Sequence, residues 1–296
     1  MHGYEPHQSL IAPARGTSAL WRLVVGLALA TALFLGLAVF YSGLVRRMLS
    51  PEAWGPDGTG MDLGTTPEGA LATLFVFAPM ILALWSATLL LHRRGMLSLI
   101  GPLGSAVRQG VRALAALALL YGVVSLLPMP EEMALTAGLS GRQWLLLLPL
   151  ALLGLLIQVS AEELVFRGYI QSQLAARFSP PWVWIIVPSI LFGALHYDPS
   201  VMGEGAIWIA IWAALFGVAA ADITARTGTL GPAIALHFVN NFVGILITGT
   251  EGYLDGLALY TVPFDTADMA LLRAWMPVEI LMIFTSWLAV RVALRV

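Results

Sequence analysis

The chain has 296 residues, 59% of them hydrophobic and 11% charged, with a mean hydropathy of +0.85. A water-soluble domain of that composition would expose large apolar patches, so the reading is an all-α, polytopic integral membrane protein. A net charge of −2, a pI near 6.2 and no interleaving of aromatic with basic residues exclude nucleic acid as a partner, and the absence of cysteine excludes disulfides, thiolate metal sites and thiol nucleophiles.

Residues 1–19 read as a polar cytoplasmic tail containing Pro6, Pro13 and Gly16. The apolar run from Leu23 to about Val45 is longer than a signal-peptide core and is taken as a retained first span. A Gly/Pro-rich loop from Arg46 to about Glu68 leads to span two, about Ala70 to Leu91, which stops at His92-Arg93-Arg94. Residues 95–110 are expected along the interface before span three, about Val111 to Leu127. Span four runs from Gln143 to roughly Phe178, and Pro180-Pro181 breaks it. Spans five (Trp182 to His196), six (Ala206 to Ile223), seven (Leu230 to Thr248) and eight (Pro277 to Val292) bring the total to about eight. Between the last two, an acidic loop includes Asp265-Thr266, which could cap a short helix ending near Trp275. The chain thus divides into the tail, a three-span region at 20–142, a four-span core at 143–248, and an acidic loop with the last span at 249–296.

All fifteen basic residues are arginines, and alternate loops hold eleven of them against four. The richer side, with Arg15, Arg22, Arg93, Arg94, Arg108, Arg112, Arg167, Arg177, Arg226, Arg291 and Arg295 against Arg46, Arg47, Arg142 and Arg273, is expected in the cytoplasm, with both termini inside.

Three polar clusters interrupt apolar spans: Glu162-Glu163 with Arg167, Phe192 with His196, and His237 with Asn241. Residues four apart lie on one helical face, so Glu163 precedes Arg167 in the favourable order for a structural ion pair. Glu162 points about 100° away and lacks that partner. Counted from Pro180-Pro181, Glu162 and His196 lie about 27 and 22 Å along antiparallel helices; from Gly228, His237 and Asn241 lie about 14 and 20 Å along theirs. The clusters can therefore meet inside the membrane. Asp198, Glu204, Asp222 and Asn240 lie near span ends and read as solvated or capping residues.

A carboxylate in a low-dielectric cavity is suited to take a proton from water, His196 to hold that water, and the His237 and Asn241 side chains to donate to the oxyanion of a tetrahedral intermediate. Neither Ser160 nor Ser189 has an evident base, which weakens a serine nucleophile. Glu and two His could ligate zinc, although no H-E-x-x-H is present. Taken alone, His237 and Asn241 also fit polar glue between helices.

The stretches Glu162-Glu163-Leu164-Val165-Phe166-Arg167, Phe192-Gly193-Ala194-Leu195-His196, and Arg226-Thr227-Gly228-Thr229-Leu230 leading to His237-Phe238-Val239-Asn240-Asn241 closely resemble the three motifs of the CAAX protease and bacteriocin-processing (Abi) family of intramembrane endopeptidases. The resemblance covers about residues 143–248. It implies a bacterial inner-membrane glutamic endopeptidase, with Glu162 and His196 activating water and His237 and Asn241 forming the oxyanion hole. Glu163, Arg167 and Phe192 would support the site. No cofactor is expected, though zinc stays open, and the partners are the bilayer and a membrane-associated peptide or protein substrate. The rival readings are a proton-coupled transporter using Glu162, His196 and His237 as a relay, and a non-catalytic immunity or scaffold protein.

Overall fold

The computed structural model describes residues 3–49, 64–128, 135–262 and 269–296, and the structure is 81% helical. Its long helices are α1 (Leu20–Met48), α2 (Pro67–His92), α3 (Leu103–Val124), α4 (Gly141–Arg177), α5 (Pro181–Leu195), α6 (Ala206–Thr227), α7 (Gly231–Ile247) and α8 (Met269–Leu294). Among the described residues, six segments are long and apolar enough to cross a membrane: α1 to α4, Pro199–Thr227 containing α6, and Leu272–Leu294 within α8. The expected spans five and seven correspond to α5 and α7, whose 15 and 17 residues extend about 22 and 25 Å. Both fall short of a hydrocarbon core of about 30 Å. The polytopic membrane fold holds, with six long spans where eight were expected.

Several boundaries shift for local reasons. Helix α2 is interrupted at Val76, where Pro79 cannot donate to the carbonyl of Phe75. Residues 103–110, expected along the interface, form the first turns of α3. The short helix ending near Trp275 and the span starting at Pro277 are one helix, α8, with Pro277 inside it; a membrane helix tolerates such a proline because neighbouring groups re-satisfy the freed carbonyl. The proposed cap Asp265-Thr266 and most of the Gly/Pro-rich loop lie outside the described residues. Strands β1 (Thr136–Ala137), β2 (Thr248–Thr250) and β3 (Tyr260–Val262) form a small sheet in the order β1-β3-β2, antiparallel then parallel, so part of the expected acidic loop is ordered.

Helix α6 is the centre of the bundle: 56% of its most apolar window is buried, against 11% for α1. Val39, Phe40, Leu90, Leu119 and Leu146 point outward, as they should where the solvent is lipid. Between lipid-embedded helices, contact comes from close packing at small residues. At Gly193 of α5 an added Cβ would lie 2.4 Å from the Ala210 carbonyl and 2.8 Å from the Ala214 side chain of α6.

The N-terminal residues form short helical turns, Glu5–His7, Gln8–Ile11 and Ala12–Thr17, and they pack as an arm against the arginine-rich end. His7, Leu10, Ile11 and Ala14 are buried. The Tyr4 hydroxyl donates to Asp222 at 2.6 Å, the Ser9 hydroxyl to the Gly228 carbonyl, and Arg94 to the Leu10 carbonyl. Gly228 caps α6 with φ of +69°, and a Cβ there would collide with the Pro6 carbonyl. Asp222, expected at a solvated span end, is instead buried, accepting also from Arg226 and from the Trp287 indole.

Candidate active site

Helix α4 carries the two carboxylates at the point where its α-helical hydrogen bonding widens into a π-helix, Leu164–Gln171. The sequence pair Glu163–Arg167 forms as expected, 3.0 Å apart and almost wholly buried. Arg167 also donates to the Gly217 carbonyl of α6 at 3.4 Å and lies 4.7 Å above the Phe192 ring. Four residues further on, Gln171 donates to the Ala221 carbonyl at 3.0 Å.

His237 of α7 meets both carboxylates. Its Nδ1 is 2.8 Å from Glu163 Oε1, and its Nε2 is 3.4 Å from Glu162 Oε2. The second contact is no hydrogen bond, and among the described residues neither Glu162 Oε2 nor Glu163 Oε2, both buried, has a hydrogen-bond partner. With Nδ1–H donated to Glu163, Nε2 is directed toward Glu162. The Glu162 side chain is 12% exposed and the Glu163 side chain 0%. Glu163 is thus a shared anchor, holding a guanidinium on its own helix and an imidazole on another, whereas Glu162 has no arginine.

One turn before Glu162, Gln158 accepts from Asn241 at 3.0 Å, and Asn240 donates to Asn241 at 3.1 Å. Helices α4 and α7 are therefore joined by two hydrogen-bonded rungs, Glu163 with His237 and Gln158 with Asn241. Sequence reading missed Gln158, although its spacing of four from Glu162 in an apolar helix marked the same face. Asn240, read as a span-end residue, belongs to this network; Asp198 does cap a short turn, accepting from the Ser200 backbone.

His196 follows the last residue of α5. Its Nδ1 donates to the Phe192 carbonyl at 2.8 Å, which leaves Nε2 as the acceptor in the neutral ring. Among the described residues it makes no hydrogen bond to Glu162. It reaches the cluster through Phe192, whose ring centroid is 4.4 Å from His196 and 5.9 Å from His237. Phe166 and Phe216, the latter 5.0 Å from His237, complete the aromatic lining. No three His, Cys, Asp or Glu side chains among the described residues gather in a metal-binding arrangement.

Fold and site define a polytopic helical membrane protein with a polar cluster shared by α4, α5 and α7. Residues 143–243 match the family model described as Type II CAAX prenyl endopeptidase Rce1-like, so over this segment the resemblance drawn from the three motifs is borne out. The chain is also similar to the uncharacterized protein YyaK of Bacillus subtilis (strain 168), at 32% identity over 125 residues, or 42% of each chain. It therefore aligns with less than half the length of that relative. No solved structure matches.

Proposed function

We propose that the protein is an intramembrane endopeptidase that hydrolyses a peptide bond in a membrane-associated protein or peptide, using water activated by Glu162. The observation that carries this reading is the inequality of the two adjacent carboxylates. Glu163 is fully buried and committed through Oε1 to Arg167 and His237, while Glu162 is 12% exposed and takes part in no such hydrogen-bonded pair; each keeps one buried oxygen, Oε2, without a hydrogen-bond partner among the described residues. A base needs that freedom.

In this reading Glu162 takes a proton from water as the oxygen attacks the scissile carbonyl carbon, and returns it to the departing amine. The lone pair on His196 Nε2 accepts the water's second hydrogen. The Asn241 amide gives one N–H to Gln158 and keeps the other for the oxyanion. His237, carrying a proton on each ring nitrogen with Nδ1–H held by Glu163, supplies the second donor from Nε2–H to the developing negative charge. The Rce1-like match over residues 143–243, which contains all four residues, supports the same assignment. The arginine-rich end would face the cytoplasm.

The test is comparative membrane peptidomics of cells carrying wild type or Glu162→Gln at matched protein level, with rates then measured on the purified protein. Glu162→Gln and His196→Ala are each expected to slow cleavage by about 10²–10⁴-fold. Cleavage by Glu162→Gln at the wild-type rate would refute the assignment.

A further inference from the structure

At the arginine-rich end, away from the polar cluster, a cavity of about 500 Å³ is lined by residues 15–22 and Arg177. Three of these residues are arginines and none is acidic. They come from three separate segments: Arg15 from the last turn of the N-terminal arm, Arg22 from the first turn of α1, and Arg177 from the last turn of α4. Arg15 donates to the Gln8 side chain, and Arg22 donates to the Leu91 carbonyl at 2.6 Å at the end of α2. Both are neutral acceptors, and a guanidinium has five N–H donors. Arg177 has no hydrogen-bonding or ion-pair partner among the described residues. Three like charges gathered without a counter-charge point to an anion supplied from outside.

The position indicates which anion. The cavity lies where α1 begins, and the exposed Trp21 on its wall is the kind of residue that sits at headgroup level. The apolar length of α1 runs from there into the bilayer. We propose that Arg15, Arg22 and Arg177 bind the phosphate of an anionic phospholipid headgroup, which fastens the N-terminal arm to the start of α1 and the end of α4. Basic pockets at helix ends suit such headgroups, and planar guanidinium groups suit phosphate. The uncapped first turn of α1 contributes further donors on the same wall.

The full chain, purified in neutral detergent, is titrated with phosphatidylglycerol or phosphatidylcholine and followed by native mass spectrometry and thermal unfolding. Phosphatidylglycerol is expected to be retained and to raise the unfolding temperature, and phosphatidylcholine to do neither. Arg15 and Arg177 are exposed, so the variant Arg15→Gln/Arg177→Gln keeps the fold. It should bind phosphatidylglycerol on the order of 10–30-fold more weakly, roughly fivefold per arginine. Arg108→Gln/Arg112→Gln, a charge-matched control on exposed α3 residues, should bind like wild type. Equal weakening in both double variants, or none in the first, would overturn the proposal. Inorganic phosphate at millimolar concentration is expected not to displace the lipid. Protection by inorganic phosphate equal to that by phosphatidylglycerol would overturn the lipid assignment in favour of a soluble anion.

Discussion

Replacing Arg167 with Met keeps the length of the side chain and removes the charge that faces Glu163. The two groups are 3.0 Å apart and almost fully buried, and at an effective dielectric of about 20 that separation corresponds to about 5 kcal/mol of attraction. The His237 Nδ1–H donated to Glu163 at 2.8 Å is common to both proteins and cancels, whereas removing the buried guanidinium also removes its desolvation cost, which offsets part of that loss. The expected destabilisation is therefore about 3 kcal/mol, at the lower edge of the 3–5 kcal/mol typical for breaking a buried pair. Thermal and denaturant unfolding in detergent micelles would measure it. Pairing the change with Glu163→Gln removes the unpaired carboxylate and should recover at least half of the loss. If Arg167→Met unfolds like wild type, or the double variant loses as much as the two single losses added, the shared anchor is not holding the site.

Three other outcomes follow from the fold. Burial lowers the pKa of His7 from 6.5 to about 4; its two ring nitrogens have no hydrogen-bond partner among the described residues, and its ring lies 5.0 Å from that of Trp184. Because the unfolded arm takes up a proton that the folded arm refuses, docking is fully stable above pH 6.5 and weakens as pH falls toward 4. The loss is about 3 kcal/mol over that window, read by hydrogen exchange of residues 5–17, and His7→Phe should abolish it. Gly193→Val should separate α5 from α6 and lower stability by about 1–3 kcal/mol or more, measured by thermal unfolding. The absence of cysteine from the chain permits single-cysteine mapping of topology: Arg93→Cys is expected to react with a thiol reagent only from the cytoplasmic side and Arg142→Cys only from outside, and the reverse pattern would refute the orientation.

The site was legible in the sequence as far as helical spacing reaches. Glu163 and Arg167 are neighbours on one helix, and four-residue spacing alone predicts their pair. That α7 would bring an imidazole against the same Glu163 depends on how two helices are rotated about their axes, which no single-helix period encodes. The spacing offers His237 as an oxyanion donor, as interhelical polar glue, as a zinc ligand or as a relay member, and none of these readings contains its hydrogen bond to Glu163. The N-terminal arm did carry a signal: positions 7, 10, 11 and 14 recur as one helical face and are the buried ones, but Pro6, Pro13 and the surrounding polar residues made the stretch read as a tail. Asp222 was misplaced for the same reason, since its partners Tyr4 and Trp287 are 218 and 65 residues away. Of the eight apolar segments expected, six are long helices and two, α5 and α7, are shorter apolar ones; apolar length alone does not encode helix tilt, on which the number of crossings depends.

The π-helical stretch of α4 works as a phase shifter. Above it, Gln158, Glu162 and Glu163 address α7; within it, Arg167 and Gln171 address the carbonyls of α6, again one turn apart on both helices. A regular helix would advance about 100° per residue throughout, and the wider turns change that advance, as a one-residue insertion absorbed within the helix does. One helix thereby keeps two neighbours in register at once, and the angular relation between the carboxylates and their scaffold is stored in backbone winding as well as in side-chain choice.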